Sequence, residues 1–205
     1  MGAAQPILKY TLAEYLAFEE RSEAKHEYYA GEIYAMAGAS PSHNRICFKL
    51  AGLLDRQLEG SSCVGYSADQ KLWIESAQLN TYADLTIVCG HAQFHPDHPT
   101  LLTNPRVLFE VLSPSTMSYD RGEKWSFYQQ LSSLTDYLLV WQDRPQLEHF
   151  SLQADGSWRY VRTVGLEQTV TIASIHSQLS LADVYSGIEF PPPKSPRPPI
   201  QIVSE

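Results

Sequence analysis

Apolar residues recur at helical spacing in three stretches of this chain. Residues 10–18 carry them behind Thr11, which is placed as an N-cap, so a first helix is expected there. A second helix is expected to open at Ser40 or Ser42, with Ile46, Leu50, Leu53, Leu54 and Leu58 on its apolar face and Gly60-Ser61-Ser62 ending it. A third is expected over residues 119–131, and a short one over 181–185. Between these stretches the pattern changes to alternation or to short unbroken apolar runs, the signature of strands. Residues 28–36 read as two short strands about a tight turn at Ala30-Gly31. Further strands are expected over Cys63–Ser67, 70–74, 81–88, Val107–Leu112 and 137–142. Two more, Gln146–Leu152 and Trp158–Val164, meet across the turn residues Ala154-Asp155-Gly156. Residues 91–100, rich in histidine and proline, read as a loop. Helices before and after a central run of strands indicate an α/β or α+β sandwich. Residues 1–190 are expected to form one domain, followed by an extended proline-rich tail over 191–205.

Two of the apolar strands contain an acid, Asp84 and Glu110. A carboxylate inside a hydrophobic strand is costly to bury unless it is paired or binds a metal. Because side chains alternate, Glu110 shares a face with Leu108 and Leu112, and Asp84 shares one with Tyr82 and Thr86. If the strands are neighbours, the two acids can share a hard cation held by oxygen ligands. If they are not, each is an exposed or salt-bridged acid near a strand end.

In the helix that follows, Asp120, Lys124 and Tyr128 fall at i, i+4 and i+8, hence on one face. A lysine beside a metal site can orient a water or stabilise charge on a phosphorane-like state. The competing structural reading makes Asp120 and Glu123 a capping box and Lys124 an exposed partner of Asp120. Glu32, after Gly31, is a candidate third metal ligand, and His43, at the head of the second helix, a candidate base or phosphate contact. Lone residues of these types are more often structural. His91, His95 and His98 with Asp97 lack regular ligand spacing and read as a solvated loop. No GxxxxGK[ST], GxGxxG or GxSxG motif is present.

Composition narrows the picture further. A chain of 205 residues, 43% hydrophobic and 19% charged, suits a single globular domain with a real core. No run approaches the roughly 20 apolar residues that span a bilayer, and the start of the chain lacks signal-peptide features, so a cytoplasmic location with no membrane contact is expected. Cys47, Cys63 and Cys89 are expected as reduced thiols. The formal charge of −8 argues against an obligate nucleic-acid binder but is compatible with carboxylates gathered round a metal.

Taken together, Tyr28-Tyr29-Ala30-Gly31-Glu32, His43, Tyr82-Ala83-Asp84-Leu85, Glu110-Val111-Leu112-Ser113-Pro114-Ser115-Thr116 and the run Asp120–Lys124–Tyr128 resemble the Uma-two family of restriction-endonuclease-like proteins, in the PD-(D/E)XK nuclease superfamily. The resemblance covers roughly residues 10–188. It implies a central mixed β-sheet flanked by helices and a metal-dependent endonuclease acting on DNA. It implies Asp84 and Glu110 as the metal-binding, catalytic acids, Mg2+ as the ion with Mn2+ as substitute, and Lys124 as the catalytic lysine. Glu32 would be the further metal ligand; His43, Asp120 and Tyr128 would touch substrate or orient Lys124. Leu112 stands where that superfamily's strand carries its lysine, and Lys124 on the next helix is the natural replacement. A homodimer is expected by analogy with nucleases that cut both strands. The alternative is a DNA-binding or protein-interaction module without turnover on the same fold.

Overall fold

The computed structural model describes residues 9–191. Its first half runs α1 (Leu12–Glu19), β1 (His26–Tyr29), β2 (Glu32–Ala35), α2 (Pro41–Leu58), β3 (Cys63–Ser67), β4 (Lys71–Ile74), β5 (Leu79–Tyr82) and β6 (Leu85–Cys89). The middle contributes β7 (Phe94–His95), β8 (His98–Leu102), β9 (Val107–Leu112), α3 (Met117–Arg121), α4 (Glu123–Tyr128) and β10 (Asp136–Trp141). The chain closes with β11 (Gln146–Leu152), β12 (Trp158–Val164), β13 (Thr169–Ile172), β14 (Ser177–Ser180) and α5 (Leu181–Val184).

Local chemistry explains the helix starts. Thr11 caps α1 in a capping box with Glu14, and Ser40 caps α2 ahead of Pro41 at its first position. The β1–β2 turn places Ala30 and Gly31 at φ 48° and 97°, and a Cβ at Gly31 would stand 2.9 Å from the Lys9 Cβ. Both space and backbone therefore call for glycine there.

The strands form two six-stranded mixed sheets and a separate hairpin, β13–β14. The first sheet has the order β2-β1-β5-β4-β8-β7 and the second β12-β11-β10-β9-β6-β3. Each contains one parallel pair, β4 with β8 and β9 with β10; the other pairs are antiparallel. The chain crosses from the first sheet to the second through Ala83 and Asp84, the two residues between β5 and β6.

One face of the second sheet packs its Leu85, Ile87, Phe109, Val111, Leu138 and Val140 against α2, α5 and the β13–β14 hairpin. Its other face presents Leu108, Leu112, Tyr137 and Leu139 to Tyr128 of α4 and to Leu72, Ile74 and Leu79 of the first sheet. A third apolar cluster joins α1 to the first sheet through Tyr15, Tyr28, Trp73 and Leu101. A mixed sheet flanked by helices is thus present, as the resemblance implies, with a second sheet beside it.

Four details differ from the sequence reading. The helix expected over residues 119–131 is two short helices broken at Gly122, whose φ of −112° and ψ of −95° leave the helical region. Residues 91–100 are not all loop, because β7 and β8 pair within them. Asp84 stands between strands rather than inside one. Cys63 and Cys89 are bonded to each other and only Cys47 is a free thiol; they lie opposite one another in the β3–β6 register, which sequence spacing does not reveal. The proline-rich tail, Pro191 apart, lies outside the described residues. No helix among the described residues is long and apolar enough to cross a membrane.

Candidate active site

The β6–β9 pairing brings the two acids together. Leu85 lies opposite Phe109 in an antiparallel register, so Asp84 comes alongside Glu110. The Val111 backbone N–H donates to Asp84 Oδ2 at 2.7 Å, which anchors the first carboxylate to the strand that carries the second. Glu110 is 4% exposed and projects toward α4, where Tyr128 donates its hydroxyl to Oε1 at 2.8 Å.

From α4 the Lys124 ammonium reaches the same oxygen, with Nζ 2.9 Å from Glu110 Oε1. It also donates to the Tyr82 carbonyl at 2.9 Å. Glu27 Oε1 at 3.7 Å and Asp120 Oδ1 at 3.8 Å complete its surroundings. Four carboxylates (Glu27, Asp84, Glu110 and Asp120) and the Lys124 ammonium line one cleft of about 680 Å³. Lys25, at its rim, is engaged by Asp69 and the Ala68 carbonyl.

Burial and crowding of like charge shift the most deeply buried groups. Burial, with Asp120 and Asp84 adding to it, pushes the Glu110 carboxyl well above its ordinary range despite the Lys124 ammonium. Burial likewise raises Asp120, again against the pull of Lys124. Burial disfavours the Lys124 charge, but Glu110, Glu27 and Asp120 outweigh it and hold the ammonium well above the ordinary lysine value.

His43 and Cys47 of α2 close the cleft on the Asp84 side. His43 Nε2 stands 3.1 Å from Asp84 Oδ2, and its Nδ1 stands 3.5 Å from Cys47 Sγ. Ser113, Ser115 and Thr116, in the loop between β9 and α3, supply hydroxyls on the cleft wall.

Asp84, Glu110, Lys124, Asp120 and His43 therefore meet in one place. Tyr128 is fully buried with its hydroxyl on Glu110 and its ring 5.9 Å from the Lys124 ammonium, so of its two expected roles the structure leaves that of positioning these groups rather than touching substrate. Glu32 does not reach the cleft. It pairs with Tyr29 across the β1–β2 turn and takes the Tyr34 hydroxyl, while Glu27, on the strand before, occupies the place expected for it. The sequence signal for Glu27 was the alternation His26-Glu27-Tyr28, which sets Glu27 opposite the core-facing Tyr28; it shows only if β1 is begun two residues before Tyr28. Asp120 and Glu123 sit on either side of the Gly122 break, and α4 has no side-chain cap, so the capping-box reading does not hold.

Comparison with known proteins shows the family and the fold. The model of the family Uma2, described as "Putative restriction endonuclease", matches residues 12–183. The protein slr1290 of Synechocystis sp. PCC 6803, described as uncharacterized, is 34% identical over 185 residues, covering 90% of this chain and 96% of its own. A second from the same organism, sll1609, is also 34% identical, over 155 residues, with 76% of this chain and 88% of its own covered. Among solved structures, one titled a putative nuclease belonging to DUF820, from Anabaena variabilis, superposes with a TM-score of 0.71 at 15% identity. That match covers 88% of this chain and 98% of the other, and it shows the fold.

Proposed function

Because this chain belongs to the Uma2 family, described as "Putative restriction endonuclease", we propose that it is a metal-dependent nuclease hydrolysing DNA phosphodiester bonds in the Asp84–Glu110 cleft. One observation carries the reading: three carboxylates lie within 3.8 Å of a single buried ammonium and a fourth, Asp84, lines the same cleft, leaving a surplus of negative charge that a hard divalent cation would offset. The donor set fits magnesium or manganese, since the carboxylates are hard oxygen ligands, Asp84 just ahead of β6 and Glu110 on the adjoining β9. Asp84 and Glu110 would hold the ion, with Glu27 and Asp120 adding charge behind them. When bound, such an ion supplies Lewis acidity toward a phosphoryl oxygen.

The protein's own groups do the rest. Lys124 spends two of its three N–H donors on Tyr82 and Glu110, which fixes Nζ and leaves one for a water or a phosphoryl oxygen. As charge builds on the pentacoordinate phosphorus, a fixed ammonium in a poorly hydrated site stabilises it without reorganising. Tyr128 holds Glu110 in place. His43 and the Ser113–Thr116 hydroxyls face the open side, where a phosphodiester backbone would lie. Leu112 is buried in the apolar cluster beneath the site, and the lysine missing from that strand position is replaced in space by Lys124. This substitution favours turnover over a module that has lost it. A symmetric second copy would give two such clefts, one for each strand of a duplex.

Supercoiled plasmid incubated with the protein and Mg2+ or Mn2+ is expected to be nicked and linearised. Glu110→Gln, which keeps the size of the side chain, is expected to lose this activity by two or more orders of magnitude. Plasmid left intact by the folded wild-type protein with both ions would overturn the proposal.

A further inference from the structure

The wall of the cleft formed by α2 carries donors of a different kind from the carboxylates opposite. His43 and Cys47 are one helical turn apart and face Asp84, and one donor atom from each of the three residues lies within 4.8 Å of the other two. Zinc bonds of about 2.0–2.3 Å in tetrahedral array set neighbouring donors roughly 3.3–3.8 Å apart. His43 presents Nε2 to Asp84 Oδ2 at 3.1 Å and its opposite ring nitrogen, Nδ1, to Cys47 Sγ at 3.5 Å, so an ion bound by one imidazole nitrogen uses one of these separations and draws in the third donor from within 4.8 Å by a turn of its side chain. All three residues are half-buried on the cleft wall, so a fourth position stays open toward the cavity.

This sulfur, nitrogen and oxygen set suits a borderline-soft cation such as zinc and is a poor match for magnesium. Asp84 belongs to both sets. We infer that His43, Cys47 and Asp84 form a zinc-class site that competes with the hard-cation site for Asp84, so that zinc acts as an inhibitor. Zinc binding stands on the geometry alone; the inhibitory role rests on the function proposed above.

Cobalt(II) reports the first part without any activity. Added to the full-length protein, it is expected to give a thiolate-to-cobalt charge-transfer band in the near ultraviolet, absent in Cys47→Ser and strongly reduced in His43→Gln. Direct titration with Zn2+ is expected to show affinity falling more than about tenfold in Cys47→Ser, a loss that even outer-shell substitutions produce in metal sites. A band that persists in folded Cys47→Ser, or equal zinc affinity in wild type and variant, overturns the site. For the inhibitory role, zinc that stops Mg2+-dependent cleavage by the wild type should spare Cys47→Ser at the same concentration. Equal inhibition of both overturns that role. Absence of cleavage altogether, beside a Cys47-dependent cobalt band, would leave the zinc site standing and remove the nuclease reading instead.

Discussion

At Lys124, burial works against the charge while three carboxylates within 3.8 Å work for it. Lys124→Met keeps the aliphatic stem and removes only the ammonium. It should cost about 3–5 kcal/mol at neutral pH, the usual consequence of stripping one partner from a buried ionic cluster. The cost should shrink at acid pH, where the remaining carboxyls protonate, and urea unfolding at two pH values would measure both. The sign for the wild-type protein follows from the same groups. Glu110 and Asp120 titrate above their ordinary values of 4.5 and 3.8, so each contributes most when protonated, and its contribution fades as pH rises through the raised folded value. The thermal midpoint measured without divalent ions should therefore rise as pH falls from neutral toward those ordinary values. Glu110→Gln should flatten that rise. Asp84 and Glu110 stand out in the sequence because an acid inside an apolar run is anomalous, whereas Lys124 and His43 rested on the family resemblance, spacing alone leaving each an ordinary structural reading. Glu27 and Cys47 were not legible, since an acid in a short polar-looking strand and a cysteine on a helix face look ordinary until the tertiary fold opposes them to Asp84.

Gly122 decides how α3 and α4 meet. A Cβ there would come within 2.9 Å of the Ser118 carbonyl oxygen, which is backbone and cannot swing away. Gly122→Ala should cost about 1–3 kcal/mol through overpacking and displace Lys124, two residues on, from Glu110. The check is a lowered unfolding midpoint together with a weakened catalytic rate. Periodicity placed α2 closely because it buries one face over several turns, while β9 shows as a short unbroken apolar run that is buried on both faces. Periodicity failed at Gly122: a glycine within a helical pattern reads as tolerated unless the clash that breaks the helix is visible. The Cys63–Cys89 pair sits at the end of β6 away from Asp84. Replacing both by serine should cost on the order of 2–4 kcal/mol through lost chain restriction and leave nicking intact, which a denaturant curve beside a plasmid assay would show.

Across the whole molecule, the crossing at Ala83–Asp84 makes the two sheets one functional object. The first sheet brings Glu27 and the Tyr82 carbonyl, the second brings Glu110, and Asp84 stands at the passage between them. The first sheet, additional to the single central sheet expected, was not legible in the sequence. Its pairings, such as β4 with β8, join segments about 30 residues apart whose alternation carries no register information. The formal charge of −8 also takes on meaning at this scale. Part of it is concentrated in the cleft, where approach of a phosphate backbone requires prior neutralisation. DNA binding should accordingly tighten when Mg2+ is present, an effect that fluorescence anisotropy with a short duplex would detect and that Asp84→Asn should diminish.

The central claim is that the surplus carboxylate charge around Lys124 seats a hard divalent cation. Isothermal titration of Mg2+ or Mn2+ into the wild-type protein at neutral pH, beside the Asp84→Asn, Glu110→Gln double variant, tests it most directly. A saturable site in the wild type that vanishes in the folded double variant is the predicted result. No binding in the wild type, or the same binding in both proteins, would contradict the account.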